Sequence, residues 1–138
     1  MNNERIIEIL NDWNFWKKDQ VIGIFRDKYL VKLEKLMNTE QVTAITGVRR
    51  AGKSTLMKQF IKKKIDTGED ASSFLYVNFE EQKFADLLSL EFLEQIYDAY
   101  IEIVKPKKIP YILLDEIHKI KGWEKFVRSL HEKKEAFI

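Results

Sequence analysis

Gln41-Val42-Thr43-Ala44-Ile45-Thr46-Gly47-Val48-Arg49-Arg50-Ala51-Gly52-Lys53-Ser54-Thr55 is the stretch on which the reading of the fold turns. Its first six residues are rich in β-branched side chains and run into a glycine, the pattern of a strand ending in a turn. Gly47 to Ser54 then match G-x-x-x-x-G-K-[ST]. From Lys53 to about Thr67 the apolar residues Leu56, Phe60, Ile61 and Ile65 recur at helical spacing, and Gly68 is a natural C-terminal cap.

Each fixed position of the loop has a physical role. The glycines let the backbone curl so that successive N–H groups point inward at phosphate oxygens, and the helix N-terminus adds positive potential. Lys53 is placed to neutralise β- and γ-phosphates, the Ser54 hydroxyl to ligate Mg²⁺, and Thr55 to hydrogen-bond the α-phosphate. With Gly at ~7%, Lys at ~6% and Ser or Thr at ~12%, the four fixed positions coincide by chance in roughly 0.5% of chains this long. The expected nucleotide-binding residues are therefore Gly47, Arg50, Ala51, Gly52, Lys53, Ser54 and Thr55.

Working outward, the alternation repeats. Ser73 to Phe79 (S-F-L-Y-V-N-F) is a second expected strand. A long helix follows, with Leu93, Ile96, Tyr97, Tyr100, Ile101 and Val104 on one face. Pro106 and Pro110 bracket the turn into a third strand, Ile109 to Asp115, and the last helix runs from about Gly122 with Trp123, Phe126, Val127 and Leu130 inward. Strand–helix alternation of this kind predicts an α/β fold with a parallel sheet, and the apolar strands fit burial on both faces. Upstream, two short helices are expected, one carrying Ile6, Leu10 and Trp13, the other Tyr29, Leu33, Leu36 and Met37. The aromatic patch Trp13, Phe15 and Trp16 between them reads as an anchor for the N-terminal arm, or a partner contact, rather than a base-stacking platform. The expected organisation is a helical segment over residues 1–40 and a parallel-sheet P-loop NTPase core of three βα units over residues 41–138.

Ile112-Leu113-Leu114-Asp115-Glu116 is an apolar strand ending in two carboxylates, 62 residues beyond Lys53 with one βα unit between. Ligands of open α/β sheets bind outside the carboxyl ends of the strands. Asp115 is the expected Mg²⁺ partner, acting through a coordinated water. Glu116 is the expected general base that polarises the attacking water.

G-V-R-R-A-G-K-S-T-L, F-L-Y-V-N-F-E-E and Y-I-L-L-D-E-I-H-K-I-K-G-W-E together resemble the prokaryotic AAA+-type ATPases that carry a poorly characterised C-terminal domain. The likeness runs over roughly residues 20 to 138. It implies that Lys53, Ser54 and Asp115 hold Mg-ATP and that Glu116 activates water for ATP hydrolysis. In such enzymes a polar sensor on a further strand and a neighbour's arginine finger complete catalysis, and the finger is worth ~10³-fold or more in rate. Neither part is identifiable here, so the expectation is nucleotide binding with slow turnover, the missing parts coming from self-association or a protein partner. The resemblance also places a sensor strand between Gln41–Thr46 and Ile109–Asp115, which Ala136, Phe137 and Ile138 would begin. A truncated core is thus expected. Direct pairing of those two strands, as in kinase-like proteins, is the competing arrangement.

Two other functions compete. Asp115-Glu116-Ile117-His118 matches the acidic box of DExH helicases, although the other helicase motifs are not recognisable. A nucleotide-binding switch that does not hydrolyse is the second. Composition narrows the field: 24 Lys+Arg against 22 Asp+Glu leave a net charge of +2, no broad footprint for nucleic acid. The chain has no cysteine and only two histidines, which removes disulfides and any persuasive zinc site. The Tyr111–Leu114 apolar run is far short of the ~20 residues that span a bilayer, and the acidic N-terminus is no signal peptide. A cytoplasmic protein without membrane contact is expected. Among weaker candidates, Arg49 or Arg50 could pair with Glu80 or Glu81 or reach a phosphate. Arg26 and Tyr29 belong either to an adenine pocket or to a helix capping the sheet, and Trp123 is expected in the core.

Overall fold

A computed structural model describes residues 1–20, 22, 27–37 and 52–133. The expected strand at 41–46, the loop residues Gly47 to Ala51, Arg26 and the segment 134–138 lie outside the described residues, and with them the choice between the two strand arrangements. The described elements are α1 (Asn3–Asn11), α2 (Asp27–Met37), α3 (Lys53–Asp66), β1 (Phe74–Asn78), α4 (Leu90–Ala99), β2 (Tyr111–Asp115) and α5 (Trp123–Glu132). Strands β1 and β2 pair in parallel, Phe74 opposite Tyr111 and Asn78 opposite Asp115, with α4 in the crossover between them.

Side chains alternate across a strand, and here the alternation sorts the apolar residues into two layers. Leu75, Val77 and Ile112 pack with α1, α4 and α5 through Ile6, Leu10, Leu93, Ile96, Phe126 and Leu130. On the other face Phe74, Tyr76, Tyr111 and Leu113 pack with Leu30 and Leu33 of α2 and Phe60 and Ile61 of α3. Every residue of β1 is buried, as expected for a strand covered on both faces. No described helix is long and apolar enough to cross a membrane.

The outer edge of β1 is covered by side chains. The buried Asn14 amide accepts from the Tyr76 N–H at 2.7 Å and donates to the Tyr76 carbonyl at 2.9 Å. The Trp16 indole donates to the Phe74 carbonyl at 2.8 Å. Asn14 thus mimics the N–H and C=O of a neighbouring strand, satisfying groups that burial would otherwise leave orphaned. Trp13 and Trp16 are half-buried and Phe15 is buried, so the aromatic patch anchors the N-terminal arm to the sheet.

Four local expectations shift. The second helix turns Leu30 and Leu33 inward, leaving Tyr29 exposed. After α4 a wide π-turn spans Tyr100–Val104, closed by Lys105 N–H bonding the Tyr100 carbonyl at 3.2 Å. The buried face of α4 is Phe92, Leu93, Ile96 and Ala99, continued by Tyr100, and Ile101 lies beyond its edge and is exposed. The third expected strand starts at Tyr111, two residues late, because Pro110 has no N–H for a ladder, and Ile109 is exposed. Trp123 is half-buried at the rim of the core, opening α5 rather than lying inside it.

Candidate functional site

Helix α3 begins at Lys53, directly after Gly52, whose φ of +85° is the left-handed conformation that glycine adopts without steric cost. Leu56 N–H donates to the Gly52 carbonyl at 2.8 Å and closes the first turn. One residue into the helix, the Ser54 hydroxyl donates to Asp115 Oδ2. The start of α3 therefore meets the carboxyl end of β2. The same oxygen accepts the Tyr76 hydroxyl at 2.6 Å. Asp115 is only 2% exposed, and two O–H donors on one oxygen offset the cost of burying that carboxylate. Burial, reinforced by the Asp115 charge, pushes the Tyr76 hydroxyl well above the ordinary tyrosine range, so it stays protonated and remains a donor.

Lys58 lies four residues beyond Ser54 on α3, on the same helix face. Its Nζ sits 5.2 Å from the Trp13 ring centre and 5.6 Å from that of Tyr76. Burial lowers its pKa, while the negative charge of Asp115 acts in the opposite direction. The Trp13 indole donates to Glu81 Oε2 at 2.8 Å. A cation, two aromatic rings and two carboxylates thus form a continuous cluster from the N-terminal arm to the end of β2.

Glu116 is buried at 9% exposure and holds a left-handed backbone with φ +57°, unusual for a side chain without an Asn- or Asp-type local hydrogen bond. It turns the chain sharply off the strand end, and its Oε2 lies 3.3 Å from Nε2 of the exposed His118. Opposite in register to Asp115, Asn78 accepts at Oδ1 from the Glu80 N–H at 2.8 Å and shapes the turn leaving β1.

Of the residues expected to serve a nucleotide, Gly52, Lys53, Ser54 and Thr55 open α3, and Asp115 and Glu116 end β2; Ser54 and Asp115 are in direct contact. Gly47, Arg49, Arg50 and Ala51 lie outside the described residues. Glu81, an expected partner for those arginines, accepts from Trp13 and from the Lys83 N–H. The donor chemistry fits Mg²⁺. Ser54 spends its hydrogen on Asp115 and keeps oxygen lone pairs for a cation, and Mg²⁺ favours one or two protein oxygens completed by water and phosphate. Among the described residues no group of three or more His, Cys, Asp or Glu is arranged around a metal position.

Sequence reading passed over Tyr76, Lys58 and Asn14. The signals were present: a tyrosine hydroxyl in a strand buried on both faces needs a partner, and an asparagine inside an aromatic patch needs its amide satisfied.

A family model described as "AAA domain" matches residues 39–138. An uncharacterized protein of Haemophilus influenzae is 32% identical over 107 residues, covering 78% of this chain and 26% of its own length. An uncharacterized protein of Methanocaldococcus jannaschii is 30% identical over 124 residues, covering 90% of this chain and 24% of its own. The chain thus spans about a quarter of the length of these relatives. No solved structure matches it. The family match takes in the whole glycine loop, the start of α3 and the end of β2, and it supports a nucleotide-binding, ATPase-like function at the level of the family. The chain belongs to the AAA domain family.

Proposed function

We propose that this chain binds Mg-ATP at the start of α3 and the end of β2, as part of an ATPase of the AAA+ type. The observation that carries the proposal is the convergence of Ser54 and Asp115, a helix-start hydroxyl and a buried strand-end carboxylate, immediately after Gly52-Lys53. In this reading Gly47, Arg50, Ala51, Gly52 and Thr55 wrap the phosphates with the loop and the first helical turn. Lys53 neutralises the β- and γ-phosphates. Ser54 and Asp115 hold Mg²⁺, which when bound supplies positive charge to the phosphate oxygens. Glu116 orients and deprotonates the attacking water. The 138-residue chain on its own binds nucleotide and turns it over slowly, and full hydrolysis needs a sensor and an arginine finger supplied to it. Catalysis in such a site rests on positioning and electrostatic stabilisation of the transferred group.

Equilibrium binding of a fluorescent ATP analogue to wild type and to Lys53→Ala tests the reading. Saturable binding that Lys53→Ala abolishes is expected; equal binding by both overturns it. The His118–Glu116 contact favours one second reading, in which the histidine couples hydrolysis to nucleic-acid movement. Stimulation of ATP turnover by single-stranded nucleic acid would favour that reading.

A further inference from the structure

We propose that Tyr76 is a positioning residue for Asp115, the structural link through which the N-terminal arm holds the metal side of the nucleotide site in place. The inference rests on the nucleotide reading above and adds to it a residue outside the glycine loop and the acidic end of β2.

Tyr76 is held on both its backbone and its side chain. Its N–H and carbonyl are both taken by the Asn14 amide, at 2.7 and 2.9 Å, so neither the height nor the tilt of the residue in the strand is free. Its ring lies under the Lys58 ammonium and 6.3 Å from the Trp13 ring. Its hydroxyl then reaches across to the neighbouring strand and donates to Asp115 Oδ2 at 2.6 Å. Ser54 donates to that same oxygen. One oxygen of the carboxylate is therefore clamped by two hydroxyls, from the strand and from the helix, which fixes the carboxylate's rotation.

A carboxylate that must meet a metal-bound water gains from being locked in this way. Partners standing behind metal ligands typically change metal affinity about 10- to 100-fold when removed. A phenol suits this role, because the ring packs in the apolar layer of the sheet while the hydroxyl spans the gap to β2. Phenylalanine keeps the packing and loses only the clamp. Residues 13–16 acquire a role beyond stability, because Asn14 sets where that hydroxyl sits.

The test measures binding of a fluorescent ATP analogue as Mg²⁺ is titrated from an EDTA-buffered start, for wild type, Tyr76→Phe, Asp115→Asn and the double variant, with thermal unfolding recorded for each. In Tyr76→Phe, the expected result is a Mg²⁺ half-saturation raised about tenfold or more, with metal-free nucleotide binding unchanged. In the Asp115→Asn background Tyr76→Phe is expected to add nothing, since its effect runs through that carboxylate. Metal-dependent binding by wild type that is unaltered in a folded Tyr76→Phe overturns this inference alone. Equal effects of Tyr76→Phe in both backgrounds also overturn it, by showing a role in packing only. Absence of Mg²⁺-dependent binding in wild type overturns the nucleotide reading and this inference together.

Discussion

Replacing Asn14 with alanine removes both hydrogen bonds to the outer edge of β1 in one step. The Tyr76 N–H loses its acceptor at 2.7 Å and the Tyr76 carbonyl its donor at 2.9 Å. The third bond, from Asn14 Nδ2 to the Leu10 carbonyl, matters less, because that oxygen also accepts the backbone N–H groups of Trp13 and Asn14. Two backbone groups are therefore orphaned where the replaced side chain is only 1% exposed. Each orphaned group costs about 1–3 kcal/mol, and a water entering the vacated space relieves part of it, so a loss of about 3 kcal/mol is expected. Against a total stability of about 5–15 kcal/mol for a domain, that is a large fraction. For a chain of this length it corresponds to a fall in Tm of roughly 10 °C. Urea unfolding followed by circular dichroism gives the number directly, with Lys18→Ala as the control. Lys18 pairs with Asp12 at 3.2 Å with both side chains more than half exposed, and its loss should fall within about 0.5 kcal/mol. An Asn14→Ala loss below about 1 kcal/mol would refute the claim that this amide substitutes for a neighbouring strand.

Gly122 enters α5 at φ +86°, and a Cβ there would meet Leu90 Cδ2 at an ordinary 3.6 Å. Gly122→Ala should therefore lose about 1–2 kcal/mol from backbone conformation alone, measured by the same urea unfolding. Burial raises the hydroxyl pKa of Tyr76, Tyr100 and Tyr111. Above the ordinary tyrosine value of about 10 the unfolded chain releases protons that the folded chain retains. The corresponding stability is fully present below about pH 10 and is lost as pH rises through the higher folded values. The urea midpoint should fall progressively above about pH 10, and a flat profile to about pH 11 would contradict this. Glu116→Gln should keep nucleotide affinity within about threefold while lowering single-turnover hydrolysis by about 100-fold or more; unchanged turnover would remove Glu116 from the reaction.

What was legible in the sequence follows periodicity and motif. The strands at Phe74–Asn78 and Tyr111–Asp115 show as apolar runs because burial on both faces leaves no polar alternation to confuse them. Lys53 could be set at the start of a helix because a glycine, a helical apolar repeat and Gly68 frame it. Joining the two motifs assigns Ser54 and Asp115 to one expected Mg²⁺, while their direct hydrogen bond is visible only in the structure. The misses share another cause. Ile101 lies about 140° round a regular helix from Ile96, at the margin of an apolar arc whose centre only packing fixes. Tyr29 and Leu30 are neighbours of similar hydrophobic content, and only packing against α3 decides which of them faces in. Asn14, Tyr76 and Asp115 are joined by hydrogen bonds across separations of 62 and 39 residues, for which one sequence carries no pairing information.

The most direct test of the Ser54–Asp115 pair as the metal side of a nucleotide site is calorimetric titration of ATP, with Mg²⁺ and with EDTA, into wild type and Asp115→Ala. The predicted result is wild-type affinity at least about tenfold tighter with Mg²⁺, a difference that disappears in Asp115→Ala. Equal Mg²⁺ dependence in the two proteins would contradict it.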